Sequence, residues 1–132
     1  MLHKVFPDKE KAKSIFKMAL DREKFLSSSK INYPNIVVEN YYEIIKEISS
    51  ALLLLRGIKF IGEDSHKQII DSLSKIANFS SYDISVLQDL RIKRNYSLYE
   101  GKQVHISYLE NYKDFLDSTI DKLKKVLKDK LK

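Results

Sequence analysis

Three glycines and two prolines are all the turn-forming residues that the 132-residue chain contains. A sandwich or barrel of many short strands needs a turn every few residues, and glycine and proline supply most of them. Long helices need far fewer, so the scarcity points to an all-α fold. The length suits one domain, and residues 1–132 are read as a single helical unit. With 43% hydrophobic and 32% charged residues, the chain is too apolar for disorder and too charged for a membrane interior. The longest aliphatic run, Ala51 to Leu55, cannot span a bilayer, and Met1 to Pro7 has no apolar signal core. The expected location is the cytoplasm.

Five helical stretches follow from the periodicity. The first runs from Asp8 to Leu26, with Ala12, Ile15, Phe16, Ala19, Phe25 and Leu26 recurring at helical spacing, and ends in Ser27, Ser28 and Ser29. The second runs from Pro34, tolerated in a first turn, to Arg56, where Gly57 suits a left-handed cap. Its apolar positions start with Ile36 and Val37 and widen until Ala51 to Leu55 is apolar all round, which marks a central helix. Capping boxes are expected at Ser65 with Gln68 and at Ser107 with Glu110. The first opens a short helix on Ile69, Ile70, Leu73 and Ile76; the second opens a long one on Leu109, Tyr112, Leu116, Leu123 and Leu127. Between them lies Ser81 to Leu98, stopped before Gly101. Short loops between long amphipathic helices predict an up-down four-helix bundle with an additional short helix.

Several chemistries are excluded. The chain has no cysteine, so a disulfide framework, a thiolate zinc site and a cysteine nucleophile are all absent. Gly57, Gly62 and Gly101 are too scattered for a phosphate-cradling loop or a dinucleotide fingerprint. His3, His66 and His105 show no metal-ligand spacing, and a di-iron bundle would need more than the lone Glu63-to-His66 motif. No metal or cofactor is implied. Glu39, Glu43 and Glu47 form an i, i+4, i+8 stripe, read as a solvated face pairing with lysines such as Lys46.

One position breaks the pattern. On a wheel at ~100° per residue, Leu87, Leu90 and Leu98 share a face, and Arg94 falls near its centre with Arg91 beside it. An unpaired buried guanidinium would cost several kcal/mol, so something compensates. One reading is an ion pair to a neighbouring helix carboxylate, or an arginine snorkelling out along its stem. The other is a cleft or subunit interface where Arg91 and Arg94 face an anion, since the planar fork suits phosphate.

The run from Leu90 to Gly101 (Leu90, Arg91, Ile92, Lys93, Arg94, Asn95, Tyr96, Ser97, Leu98, Tyr99, Glu100, Gly101) resembles the signature of HEPN domains, an Arg-Asn pair followed by His or Tyr. The order of helices from Lys9 to Lys125 resembles that family too. The resemblance implies a homodimer in which two copies of the motif meet across a cleft. It implies either a metal-independent ribonuclease, often a toxin of a toxin–antitoxin pair, or a binding module for nucleotide or RNA that accompanies a separate nucleotidyltransferase. The ribonucleases carry an Arg, then four to six intervening residues, then His. Here those positions are Tyr99, Glu100 and Gly101, and His105 lies too far along. An imidazole with pKa ~6.5 suits proton abstraction near neutrality, whereas a phenol at ~10 does not. The binding module is therefore the leading expectation, with the ribonuclease and a plain helical interaction protein as alternatives.

The candidate residues are Arg91, Lys93, Arg94, Asn95, Tyr99 and Lys102, with Arg94 and Tyr99 the catalytic candidates in the ribonuclease alternative. Arg94 and Asn95 would hold phosphate or position the motif. Tyr99 would give a donor and a stacking surface, and Arg91, Lys93 and Lys102 supporting charge. On a straight helix Arg94 and Tyr99 point ~140° apart, so sharing a site would need the helix to end between them or a partner subunit to supply one.

The net charge of +6 is carried at the ends: residues 1–30 hold 8 basic and 4 acidic side chains, residues 121–132 hold 6 and 2. The C-terminal lysines are expected to face outward, with a phosphate-tracking patch as the other reading.

Overall fold

A computed structural model describes residues 1–28 and 33–132; Ser29, the last of the serine run, lies outside the described residues. Its elements in chain order are β1 (Leu2–Lys4), α1 (Lys9–Ser28), α2 (Pro34–Leu55), β2 (Ile58–Phe60), α3 (Ser65–Ile76), α4 (Ser81–Glu100) and α5 (Ile106–Lys130). The protein is an all-α helical bundle, 77% helical, with five helices and one minimal sheet among the described residues. No helix among them is long and apolar enough to cross a membrane.

α2 is the hub. Pro34 starts it, where a missing N–H costs nothing. α1, α3, α4 and α5 all pack against it. That arrangement explains its composition: Val38, Tyr41, Tyr42, Ile44, Ile45, Ile48 and Ala51 are all essentially inaccessible, on several faces at once. Three apolar side chains placed on buried stripes by periodicity, Phe25, Ile36 and Leu98, are instead exposed. Each sits in the terminal turn of its helix, where overlap with neighbours runs out. For Leu98 the reason is visible: Asn35, the second residue of α2, already bonds Ser97, so α4 outruns the helix that would cover it.

A small sheet joins the two ends of the α1–α2 unit, with no counterpart in the helical periodicity. β1 pairs antiparallel with β2, Leu2 opposite Phe60 and Lys4 opposite Ile58. Beside it, the Val5 amide donates to the Gly57 carbonyl at 2.8 Å. Gly57 has φ +71°, and a Cβ there would stand 2.6 Å from the Val5 carbonyl oxygen, so both its conformation and its neighbour demand glycine.

The helix ends also correct the expectation. Neither expected capping box forms. Ser65 is the first residue of α3, preceded by Asp64, which makes no side-chain cap. α5 is capped by His105, whose Nδ1 accepts the Ser107 amide at 3.1 Å. The reciprocal box belongs to Ser80 and Asp83, where both bonds measure 3.1 Å. Ser-x-x-acid patterns recur in the chain, and the box closes where the backbone enters the helix extended, as at Ser80 with ψ 165°.

Candidate functional site

The inner face of α4 carries Leu87, Leu90 and Arg94 in one stripe against α2, and Arg94 is as buried as a core residue at 6% exposure. What compensates it comes from the acidic stripe of α2. Arg94 Nη2 donates to Glu43 Oε1 at 2.9 Å, and Lys46 Nζ sits 3.0 Å from Glu43 Oε2. Glu39 accepts from the Ser97 hydroxyl at 2.6 Å, and buried Glu47 accepts from Arg22 Nε at 2.7 Å. The stripe is therefore turned inward, not solvated. The pairing of Glu43 with Lys46 survives from the sequence reading, but a helix ringed by four others has no wholly wet face to offer.

The same guanidinium gathers the motif. Arg94 Nη1 donates to Asn95 Oδ1 at 3.1 Å and lies 3.4 Å from the Tyr99 hydroxyl. Its central carbon is 4.9 Å from the Tyr42 ring centroid and 5.6 Å from that of Tyr99. Arg94 and Tyr99 thus meet within one chain, although α4 continues through Glu100. Two features make this possible. Long side chains bend round the helix, and the Gly101 and Lys102 amides both return to the Tyr96 carbonyl, which widens the last turn.

Two opposing effects set the ionisation of the acids. Burial pushes Glu43 up, but Lys46 and then Arg94 outweigh it and hold the carboxyl below its usual value. For Glu47 burial wins over Arg22 and the carboxyl is raised despite the 2.7 Å contact, with nearby Glu43 adding to the rise. Burial also raises the Tyr42 phenol, whose hydroxyl has no hydrogen-bond partner among the described residues. His66 is the member of this cluster that periodicity missed. Its ring lies 6.0 Å from that of Tyr42, and burial followed by the charges of Lys46 and Arg94 lowers its pKa. Its position at the start of α3 carried no pairing signal, since its neighbours come from α2 and α4.

The candidate residues do not form one site. Arg94, Asn95 and Tyr99 come together as described. Arg91 is drawn toward α3: its Nε donates to Gln88 Oε1 at 2.7 Å, and Gln88 in turn reaches Asp71 and the Lys67 carbonyl. Lys93 and Lys102 turn to another flank of α4, beside Tyr108 and Tyr96. Asn35 is a further residue that sequence reasoning passed over. It donates to Ser97 Oγ and to the Lys102 carbonyl, both at 2.8 Å, and accepts from the Val104 amide at 2.9 Å, pinning the α4–α5 connection. Its partners lie more than sixty positions away, beyond the reach of local pattern.

At the C-terminus, Lys124 does not point freely outward but pairs with Glu23 at 2.8 Å, and Lys122 covers the Phe79 ring at 4.3 Å. Among the described residues, no group of three or more His, Asp or Glu side chains is placed to hold a metal ion. No protein-family model matches the chain, and no curated protein or solved structure matches it. Fold and site together define a class: an all-α bundle in which a buried arginine organises one end of α4.

Proposed function

We propose that the protein is a non-catalytic module that binds nucleotide or RNA phosphate through the C-terminal half of α4. In this reading it acts as a homodimer and accompanies a separate small nucleotidyltransferase, as the resemblance of residues 90–101 to HEPN domains implies. The observation that carries it is the concentration of cation–aromatic pairs there: Arg94 with Tyr42 and Tyr99, Lys93 with Tyr108, and Lys102 with Tyr96. Aromatic faces beside cations are what single-stranded nucleic acid uses, bases stacking while phosphates find the charge. Arg94, neutralised by Glu43, fixes Asn95 and Tyr99; Tyr99, 69% exposed, offers its ring outward. Ile92 and Leu98 are also exposed on this helix, apolar surface that supports the dimer.

The test is titration of labelled single-stranded RNA and of ATP and GTP by fluorescence polarisation across a range of salt. Binding that weakens steeply with salt and is lost in Tyr99→Ala and Arg94→Ala supports the reading. No binding by the wild type overturns it.

A second reading is favoured by the Arg94–Glu43 ion pair itself: a plain helical interaction protein in which Arg94 only bridges α2 and α4. It predicts that Arg94→Ala lowers the melting temperature and leaves every binding measurement unchanged.

A further inference from the structure

A cavity of about 450 Å³ opens between the C-terminal half of α4, the 101–105 connection and the first turns of α5. Arg94 does not line it. Its walls include Lys93, Tyr96, Lys102, His105, Tyr108 and Tyr112, with the Asp89 carboxylate on the Lys93 side. Lys102 Nζ stands 4.6 Å from the Tyr96 ring centroid and makes no ion pair with a carboxylate among the described residues. Lys93, 5.0 Å from the Tyr108 centroid, is paired only loosely with Asp89, at 3.6 Å. The Tyr108 and Tyr112 rings lie 5.0 Å apart, tilted by 35°, and give the cavity an aromatic wall.

The polar groups have a direction. His105 Nδ1 accepts the Ser107 amide, so the neutral ring carries its proton on Nε2 and has a donor to spare. The N-terminal turn of the 25-residue α5 brings the positive end of a helix dipole to the same place. Cationic and N–H donors thus meet an aromatic wall in a space of mononucleotide size. A carboxylate metabolite without a ring would leave the wall idle, and an uncharged ring would leave the lysines idle.

We propose that this cavity binds a nucleoside 5′-monophosphate group, the phosphate at Lys102 and His105 and the base against the tyrosines. The inference rests on the nucleotide-binding reading above but puts this ligand on a different flank of α4 from Arg94, Asn95 and Tyr99. The group has two sources, a free mononucleotide or the 5′-phosphorylated end of a single strand.

Isothermal titration of the full chain with AMP, adenosine, inorganic phosphate and a 5′-phosphorylated RNA tetramer tests it. AMP binding more tightly than adenosine or phosphate supports the free nucleotide; the tetramer binding where AMP does not supports the strand end. In either case Lys102→Ala is expected to raise Kd about tenfold, by loss of a charge-assisted contact. Tyr96→Ala should raise it by about fivefold or more, by loss of aromatic surface, while Lys102→Arg retains binding. Both positions are solvent-facing, and circular dichroism checks that the variants fold. Lys128→Ala, at an exposed lysine in the last turn of α5 outside this cavity, should leave the Kd within about twofold. Absence of binding by both AMP and the tetramer overturns the inference, as does binding indifferent to Lys102→Ala and Tyr96→Ala. If Tyr99→Ala abolishes binding while Lys102→Ala does not, the cavity fails and the earlier reading stands. If AMP binds here and Tyr99→Ala and Arg94→Ala leave RNA binding intact, the earlier site fails and the cavity stands.

Discussion

Glu43 Oε1 stands 2.9 Å from Arg94 Nη2 across the junction of α2 and α4, and this contact is what lets a guanidinium sit in a row of leucines. The charge is not abandoned in the core: Asn95 and Tyr99 take up Nη1, and two tyrosine rings lie within 6 Å of the guanidinium carbon. The buried arginine therefore acts as a hub that ties the last turns of α4 to the middle of α2.

Arg94→Ala should destabilise the fold by about 1–3 kcal/mol in urea unfolding, because Glu43 keeps only Lys46 and a void is left among Leu87 and Leu90. The Glu43 side chain retains 23% of its exposure, which places the loss below that of a fully buried pair. The double variant Arg94→Met with Glu43→Leu should recover to within about 1 kcal/mol of wild type, since no orphan charge remains. A double variant as unstable as Arg94→Ala would show that the loss does not come from an orphaned Glu43 charge.

Acidification should expose His66. Its folded pKa lies below 6.5, so the folded state favours the neutral ring; the associated stability is present above pH 6.5 and is lost as pH falls toward the folded value. The melting temperature of the wild type should therefore decline as pH drops below 6.5, and His66→Gln should flatten that part of the curve. Glu43, also depressed, adds a second decline, below pH 4.5. Glu47, raised, acts in the opposite sense: its contribution is present below pH 4.5 and fades as pH rises through its folded value.

Gly57→Ala should cost about 1–3 kcal/mol, because a side chain at φ +71° is strained and its Cβ collides with the Val5 carbonyl. The damage should be local first. Hydrogen exchange at residues 2–5 is expected to accelerate before that of α2.

Asn35→Ala removes three hydrogen bonds that hold Ser97, Lys102 and Val104. A loss of about 1–3 kcal/mol is expected, with faster amide exchange at Val104 as the specific sign. Unchanged exchange there would show that the α4–α5 connection is held by other means.

Tyr42→Phe should leave stability unchanged or raise it by up to about 1 kcal/mol, because it deletes a buried hydroxyl that has no partner among the described residues and keeps the ring under Arg94. Thermal unfolding decides the sign.

Much of the architecture could be read from residue order. The scarcity of glycine and proline announced helices, the apolar widening from Ile36 to Leu55 marked the central one, and Arg94 stood out because a local period shows where a charge does not belong. Tyr99 was harder: a wheel treats side chains as spokes, so it could not register that arginine and tyrosine bend toward each other. The acidic stripe was misjudged because periodicity reports which residues share a face but not how many helices surround it. β1 and β2, three residues each, are too short to carry an alternation.

What the chain determined by itself is the set of helices and the identity of the odd residue among them, since both follow from interactions within a few turns. Tertiary structure decided everything that joins distant positions: Glu43 to Arg94, Asn35 to Val104, His66 to Tyr42, and the cavity that Lys93 and Lys102 share with Tyr108. Those pairings depend on which helices lie side by side, and packing sets that only after every apolar face has competed for burial.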